Sequence, residues 1–176
     1  MFNRIRQVVA ALTASIQRQD REFVNFYLSL KEQELFWGMS IQDQRHVLNV
    51  AYTALRLAKQ KRRNIDAVVL AKAALLHDVG RIRGDSSTSD KMIAVIINSL
   101  FPDWMKKWAK RGRGGKINNL RHAFYIYLQH GAIGAEMLRD IDESPKIIAI
   151  VEKHHKAPAE NDPPELVLLR MSDNMH

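Results

Sequence analysis

The chain has 176 residues, 46% of them hydrophobic, and a formal net charge of +8, which is the size of one ordinary domain with enough apolar material to fill a core. It contains no cysteine, which excludes disulfides, thiolate metal sites and cysteine nucleophiles, so any metal must be held by His, Asp or Glu. The positive charge is local, since Trp104 to Arg121 carry seven basic residues and no acid, leaving 20 basic against 19 acidic residues elsewhere.

Helical periodicity dominates, and no alternating strand pattern competes with it. The first predicted helix covers 2–17. It is amphipathic rather than a signal peptide, because its apolar part is short and Gln17-Arg18-Gln19-Asp20-Arg21-Glu22 follows directly. Helices are then expected at 20–36, 42–60, 64–78, 88–99, 117–129, 131–140, 144–155 and 163–175. Gly38 and Ser40 mark one break, Gly80 and Gly84 another, and Gly112, Gly114 and Gly115 interrupt the basic stretch. Pro145 behind Ser144, and Pro163-Pro164 behind Asp162, stand where prolines open helices. No segment reaches the roughly eighteen uninterrupted apolar residues of a membrane span. A cytoplasmic protein with no membrane partner is the expectation.

The run Ala67 to Leu76 holds a single charge, Lys72, and ends at His77-Asp78. A helix buried on most of its circumference thus delivers an imidazole and a carboxylate, and a divalent metal is a partner that satisfies both. Other polar groups also end apolar stripes. His46 shares a face with Val50, Ala54 and Leu57, His154 with Ile150 and Ile147, and Asp173 with Leu169 and Leu166. His155 shares an equally apolar face with Val151 and Ile148, so spacing does not choose between the two adjacent histidines. His130 is placed at a helix junction, before the small residues Gly131-Ala132-Ile133-Gly134. One inward histidine is more often a hydrogen-bonded core residue than a ligand. So many together argue for a metal site, and the donor set suits Mn, Fe, Co, Ni or Zn better than Mg.

The order His46, His77-Asp78, His130, His154-His155, Asp173 resembles the HD-domain superfamily of metal-dependent phosphohydrolases. The local contexts match as well: Asp43-Gln44-Arg45-His46-Val47-Leu48-Asn49, Leu75-Leu76-His77-Asp78-Val79-Gly80-Arg81 and His130-Gly131-Ala132-Ile133-Gly134-Ala135. The resemblance covers roughly Ile41 to Asp173. It implies an all-α helical bundle with a central metal cleft, formed by an HD domain over 41–176 behind an N-terminal helical extension, 1–40, packed on that core. The extra histidines accompany two-metal sites in the family. By this resemblance Asp78 bridges two ions, with His46, His77 and Asp173 mainly on one and His130 and His154 on the other. His154 is preferred as ligand because family members commonly use the first of a paired set, which leaves His155 for proton transfer. The Asp-Gly-x-Gly-Tyr-Pro pattern of cyclic-di-GMP phosphodiesterases is missing after the paired histidines, where Lys156-Ala157-Pro158 stands instead. Gln42, not glutamate, precedes His46 by four residues, so no third metal is expected.

The implied function is hydrolysis of a small phosphate ester, with a nucleotide as the leading substrate class, by a metal-activated hydroxide; Asp78 and His155 are the catalytic candidates. Arg81 is the first candidate for a phosphate contact, since its planar fork can hold two oxygens. Lys110, Arg111 and Arg113 are assigned to drawing in anionic substrate. Two alternatives compete. One is a di-iron oxygenase using a similar ligand set, and the other is a nucleic-acid-binding module built on residues 104–121, which is less favoured because few aromatics interleave with the basic residues.

Overall fold

The computed structural model describes residues 15–60 and 65–176, and the helix expected at 2–17 lies almost wholly outside them. The described chain is helical, with one isolated bridge between Met39 and Ile82 as its only β pairing. The helices are α1 (Arg18–Tyr27), α2 (Leu30–Gly38), α3 (Ile41–Gln60), α4 (Ala67–Leu76), α5 (Thr88–Leu100), α6 (Pro102–Trp108), α7 (Gly115–Asp140), α8 (Pro145–Lys153) and α9 (Pro164–Asp173).

The apolar helix α4 is the centre. Asp66 caps its start by accepting from the amides of Val68 and Val69, and Leu70, Ala71 and Ala73 to Leu76 are fully buried. Its alanines let neighbours approach closely, and α3, α8 and α9 pack round it with α1 and α2. One core therefore joins Val24 and Phe36 of the first two helices, and Leu28 between them, to Leu48, Leu75, Ile150 and Leu169. The lone charge of α4, Lys72, reaches Glu32 of α2 at 2.8 Å and Glu143 of the α7–α8 turn at 3.4 Å. A half-buried lysine on this helix is tolerated because two carboxylates meet it.

Three expectations need correction. The single helix over 20–36 is two, because Ser29 starts a new one: its side chain and that of Glu32 close a reciprocal capping box. The helices over 117–129 and 131–140 are one helix of 26 residues, and His130 lies within it instead of at a junction. Gly131 is not a break. A Cβ there would lie 3.2 Å from the Val151 carbonyl oxygen and 3.3 Å from His154 Cε1, so glycine serves the close approach of α8. Finally, the basic stretch is not all loop, since Pro102 opens α6 at its first turn.

Candidate metal centre

Seven side chains from five places in the sequence converge beside α4. His46 comes from the second turn of α3, and His77 and Asp78 from the turn that ends α4. His130 comes from the middle of α7, His154 and His155 from the end of α8, and Asp173 from the last residue of α9. They form two sets: His46, His77 and Asp173, and Asp78, His130, His154 and His155, with the ligand atoms in each set within 4.8 Å of one another.

Asp78 stands between the sets. Its Oδ2 lies 3.9 Å from His46 Nε2 and 3.8 Å from His77 Nε2, while Oδ1 lies 3.2 Å from His130 Nε2. On the first side, Asp173 Oδ1 is 3.0 Å from His46 Nε2 and 3.7 Å from His77 Nε2. On the second, the Nε2 atoms of His130 and His154 are 3.2 Å apart.

The backbone fixes which ring nitrogens face inward. His77 Nδ1 donates to the Ala74 carbonyl at 2.8 Å, His154 Nδ1 to Val151 at 2.6 Å, and His130 Nδ1 to Tyr127 at 2.9 Å. A helical carbonyl three residues back thus holds each ring, leaving Nε2 as the atom offered to the centre. His77 Nε2 and both Asp78 oxygens are buried with no hydrogen bond of good geometry. Buried polar atoms of that kind ask for a partner, and these, with carboxylate and imidazole together, fit a divalent transition ion.

The electrostatics agree with a cation trap. Burial raises the pKa of Asp78, but Arg81, His77 and His130 outweigh it and hold the carboxyl well below the usual range. Asp173 is likewise held far down against burial by its hydrogen bond to His46 and by the neighbouring His77. His77 moves the other way, to about 9, because Asp78 and Asp173 overcome the desolvation that disfavours its charge. Burial, with neighbouring cations, keeps His130 and His154 low and lowers His155 to about 4.

Arg81 closes the inner wall. Its Nη1 lies 3.2 Å from Asp78 Oδ2, and its Nη2 donates to His130 Nε2 at 3.2 Å. A cleft of about 790 Å³ opens outward from there, bounded by His46, Arg81, His155 and Asp173. Lys110, Arg111 and Arg113 do not line it. Its walls instead add Gln42, Arg45, Asn49, Lys91 and Tyr127, which sequence reasoning did not assign to the site. Gln42, Arg45, His46 and Asn49 stand at i, i+3, i+4 and i+7 of one helix, so the polar stripe was the available signal. In the run Ser86-Ser87-Thr88-Ser89, whose hydroxyls could donate to a phosphate, Ser87 is used as the N-cap of α5, accepting from the Asp90 amide, whereas Ser86 lines the cleft.

No curated protein and no solved structure matches the chain. The family model of the HD domain matches residues 44–176, a span that holds every one of the seven converging side chains, and on that match the chain belongs to the HD-domain family.

Proposed function

We propose that this protein is a two-metal phosphohydrolase acting on a small phosphate ester, with nucleotides as the first class to examine. The observation that carries this reading is the buried Asp78 carboxylate, which offers one oxygen to each of two histidine sets while neither oxygen is satisfied by hydrogen bonding. His46, His77 and Asp173 would hold one ion, His130 and His154 the other, with Asp78 shared. Such a pair supplies a water of lowered pKa and a clamp on phosphoryl oxygens. The residues do the rest. Arg81 turns its fork toward the cleft and donates to the ester's phosphate, aided by Lys91 on the same wall. His155, on the cleft wall at 4.8 Å ring separation from His130, is placed to pass a proton between the centre and solvent.

A di-iron oxygenase would use the same donors. Arg45, Arg81 and Lys91 line the cleft, paired with Asp20, Asp78 and Asp43 respectively, and their remaining N–H donors favour an anionic ester over an uncharged substrate. The first forty residues are assigned to an extension outside the catalytic part, which the family match beginning at Gln44 supports.

The test is a panel of nucleotides and generic phosphate esters assayed with Mn, Fe, Co, Ni and Mg, with metal content measured on the same preparation. Metal-dependent phosphate release, lost together with bound metal in Asp78→Asn, is the expected result. Protein carrying two ions that cleaves no ester, or that shows a mixed-valent iron signal instead, would overturn the assignment.

A further inference from the structure

The helix α5 is built for burial on all sides, yet only one side is buried. From Met92 to Pro102 the sequence has no charged residue. Ala94 and the half-buried Ile97 and Asn98 face α7, where Ala94 joins Phe124 and Met105 in a small core of its own. On the opposite side Met92, Ile96 and Leu100, spaced by four, are 45%, 44% and 63% exposed, with Ile93 at 39% beside them. A surface helix normally turns polar residues outward. This one does not, and half of the exposed large apolar side chains among the described residues lie between 92 and 117. Phe101 and Trp104 follow directly in the chain, 58% and 49% exposed, and Ile117 in the first turn of α7 is 69% exposed.

Apart from Asp103, the charges from 102 to 121 are all positive. Lys106 pairs with Asp103 at 3.2 Å, and Arg121 is engaged by the Trp108 carbonyl. Lys107, Lys110, Arg111, Arg113 and Lys116 have no carboxylate within ion-pair distance among the described residues. All five are exposed.

We propose that the α5–α6 tip docks onto the surface of an anionic phospholipid bilayer, with Ile96, Leu100, Phe101 and Trp104 entering the headgroup boundary and the basic residues of 106–116 meeting lipid phosphates and carboxylates. Apolar insertion and polybasic attraction are each weak alone and give stable peripheral attachment together. Tryptophan suits that boundary because its ring is amphipathic. A nucleic acid would use the basic residues and a ring or two, but would leave the aliphatic row Met92, Ile93, Ile96 and Leu100 without a role. A second copy of the chain would cover the aliphatic row, yet has no anionic patch on this tip for the five cations. The sequence expectation of no membrane partner rested on the lack of a spanning segment, and a docking face needs none. Val95, 46% exposed, belongs also to the wall of the metal cleft, so docking would hold the cleft's edge beside the headgroups.

The full chain is sedimented with vesicles of phosphatidylcholine alone or with about 30% phosphatidylserine. Binding to the anionic vesicles only, at least roughly ten-fold weaker at 0.5 M than at 0.1 M salt and at least ten-fold weaker in the Ile96→Ser, Leu100→Ser double variant, is expected. Brominated lipid should also quench the tryptophan emission of the unaltered protein, a readout that needs no variant to fold. Absence of anionic-vesicle binding overturns the proposal, as does binding indifferent to the double substitution. A dimer in light scattering that the double variant dissociates, without vesicle binding, assigns the face to a second copy. Tight binding of a single-stranded oligonucleotide with no quenching by brominated lipid assigns the tip to nucleic acid.

Discussion

Arg81 stands between the converging donors and the cleft. Its guanidinium sits on Asp78 and His130. Burial opposes its charge, but Asp78, Asp43 and Asp173 keep it cationic. Ions at the centre would repel it toward the cleft, where a phosphate gives it two acceptors. Arg81→Gln is therefore expected to keep its full complement of bound Mn while KM for the ester rises by roughly ten-fold or more, the size of a lost charge-assisted hydrogen bond. An unchanged KM, with metal content intact, would remove Arg81 from substrate contact. Much at this scale was legible. His77-Asp78 closes an apolar run, and Arg81 follows Asp78 at the i+3 spacing that brings the two together. Lys91 was not legible as a cleft residue, and the stripe of Gln42, Arg45 and Asn49 was visible without its destination, because a polar residue on a half-buried helix has the same spacing whether it faces a cleft or open water.

At the level of elements, the turn after α4 places the site through one glycine. A Cβ on Gly80 would lie 2.1 Å from the His130 carbonyl oxygen and 2.8 Å from the Gly134 amide nitrogen, and both are helical backbone that cannot rotate away. Gly80→Ala must push the His77-Asp78 turn off α7, separating Asp78 from His130. A loss of at least about 2 kcal/mol, or a Tm fall of roughly 4–8 °C, is expected together with loss of metal. Gly38→Ala, with nothing within 4 Å of the added carbon, is the control and should shift Tm by only a degree or so. A Gly80→Ala protein as stable as that control would show that the turn is not clamped there. Glycine is also where sequence reading of the elements went astray. Gly80 follows the end of α4 by four residues and Gly131 sits inside α7, yet each is kept for the close approach of a neighbouring helix, which only the packed structure reveals. The break at Ser29 had a local signature in Ser29-x-x-Glu32, but the apolar residues on either side, Phe23, Val24, Tyr27, Leu35 and Phe36, keep close enough to helical spacing to hide it. The interior helices α3 and α4 were the most legible, since burial imposes the periodicity that sequence displays.

Across the whole molecule, two sets of buried charge tie distant segments together, and they respond to different conditions. Glu32 on α2 is held at about 2 against the effect of burial by Glu143, Lys72 and Ser29, and Glu143 is raised by burial and by Glu32. A carboxyl depressed in the folded state contributes stability above its ordinary pKa near 4.5, and that contribution disappears as pH falls from there to about 2. Denaturant unfolding should therefore show stability dropping across that window. Lys72→Met, which leaves the carboxylate pair without its cation, should cost about 3 kcal/mol at neutral pH. A flat profile between pH 4.5 and pH 2 would mean that the junction of α2, α4 and the α7–α8 turn does not depend on this charge. The second set is the metal centre, whose donors come from α3, α7, α8 and α9 and from the turn after α4, so an ion bound there would cross-link most of the bundle. The unfolded chain cannot present these donors together, so ligation adds to folding free energy. At about a hundred times Kd that addition is roughly 2.7 kcal/mol, equivalent to a rise in Tm of about 5–10 °C for a chain of this length. Chelator-treated protein should gain that increment on adding Mn or Ni, with protons released as His77 surrenders its own, and Asp78→Asn should gain none. Equal Tm values with and without Mn and Ni would mean that the convergence of these seven side chains does not bind a metal.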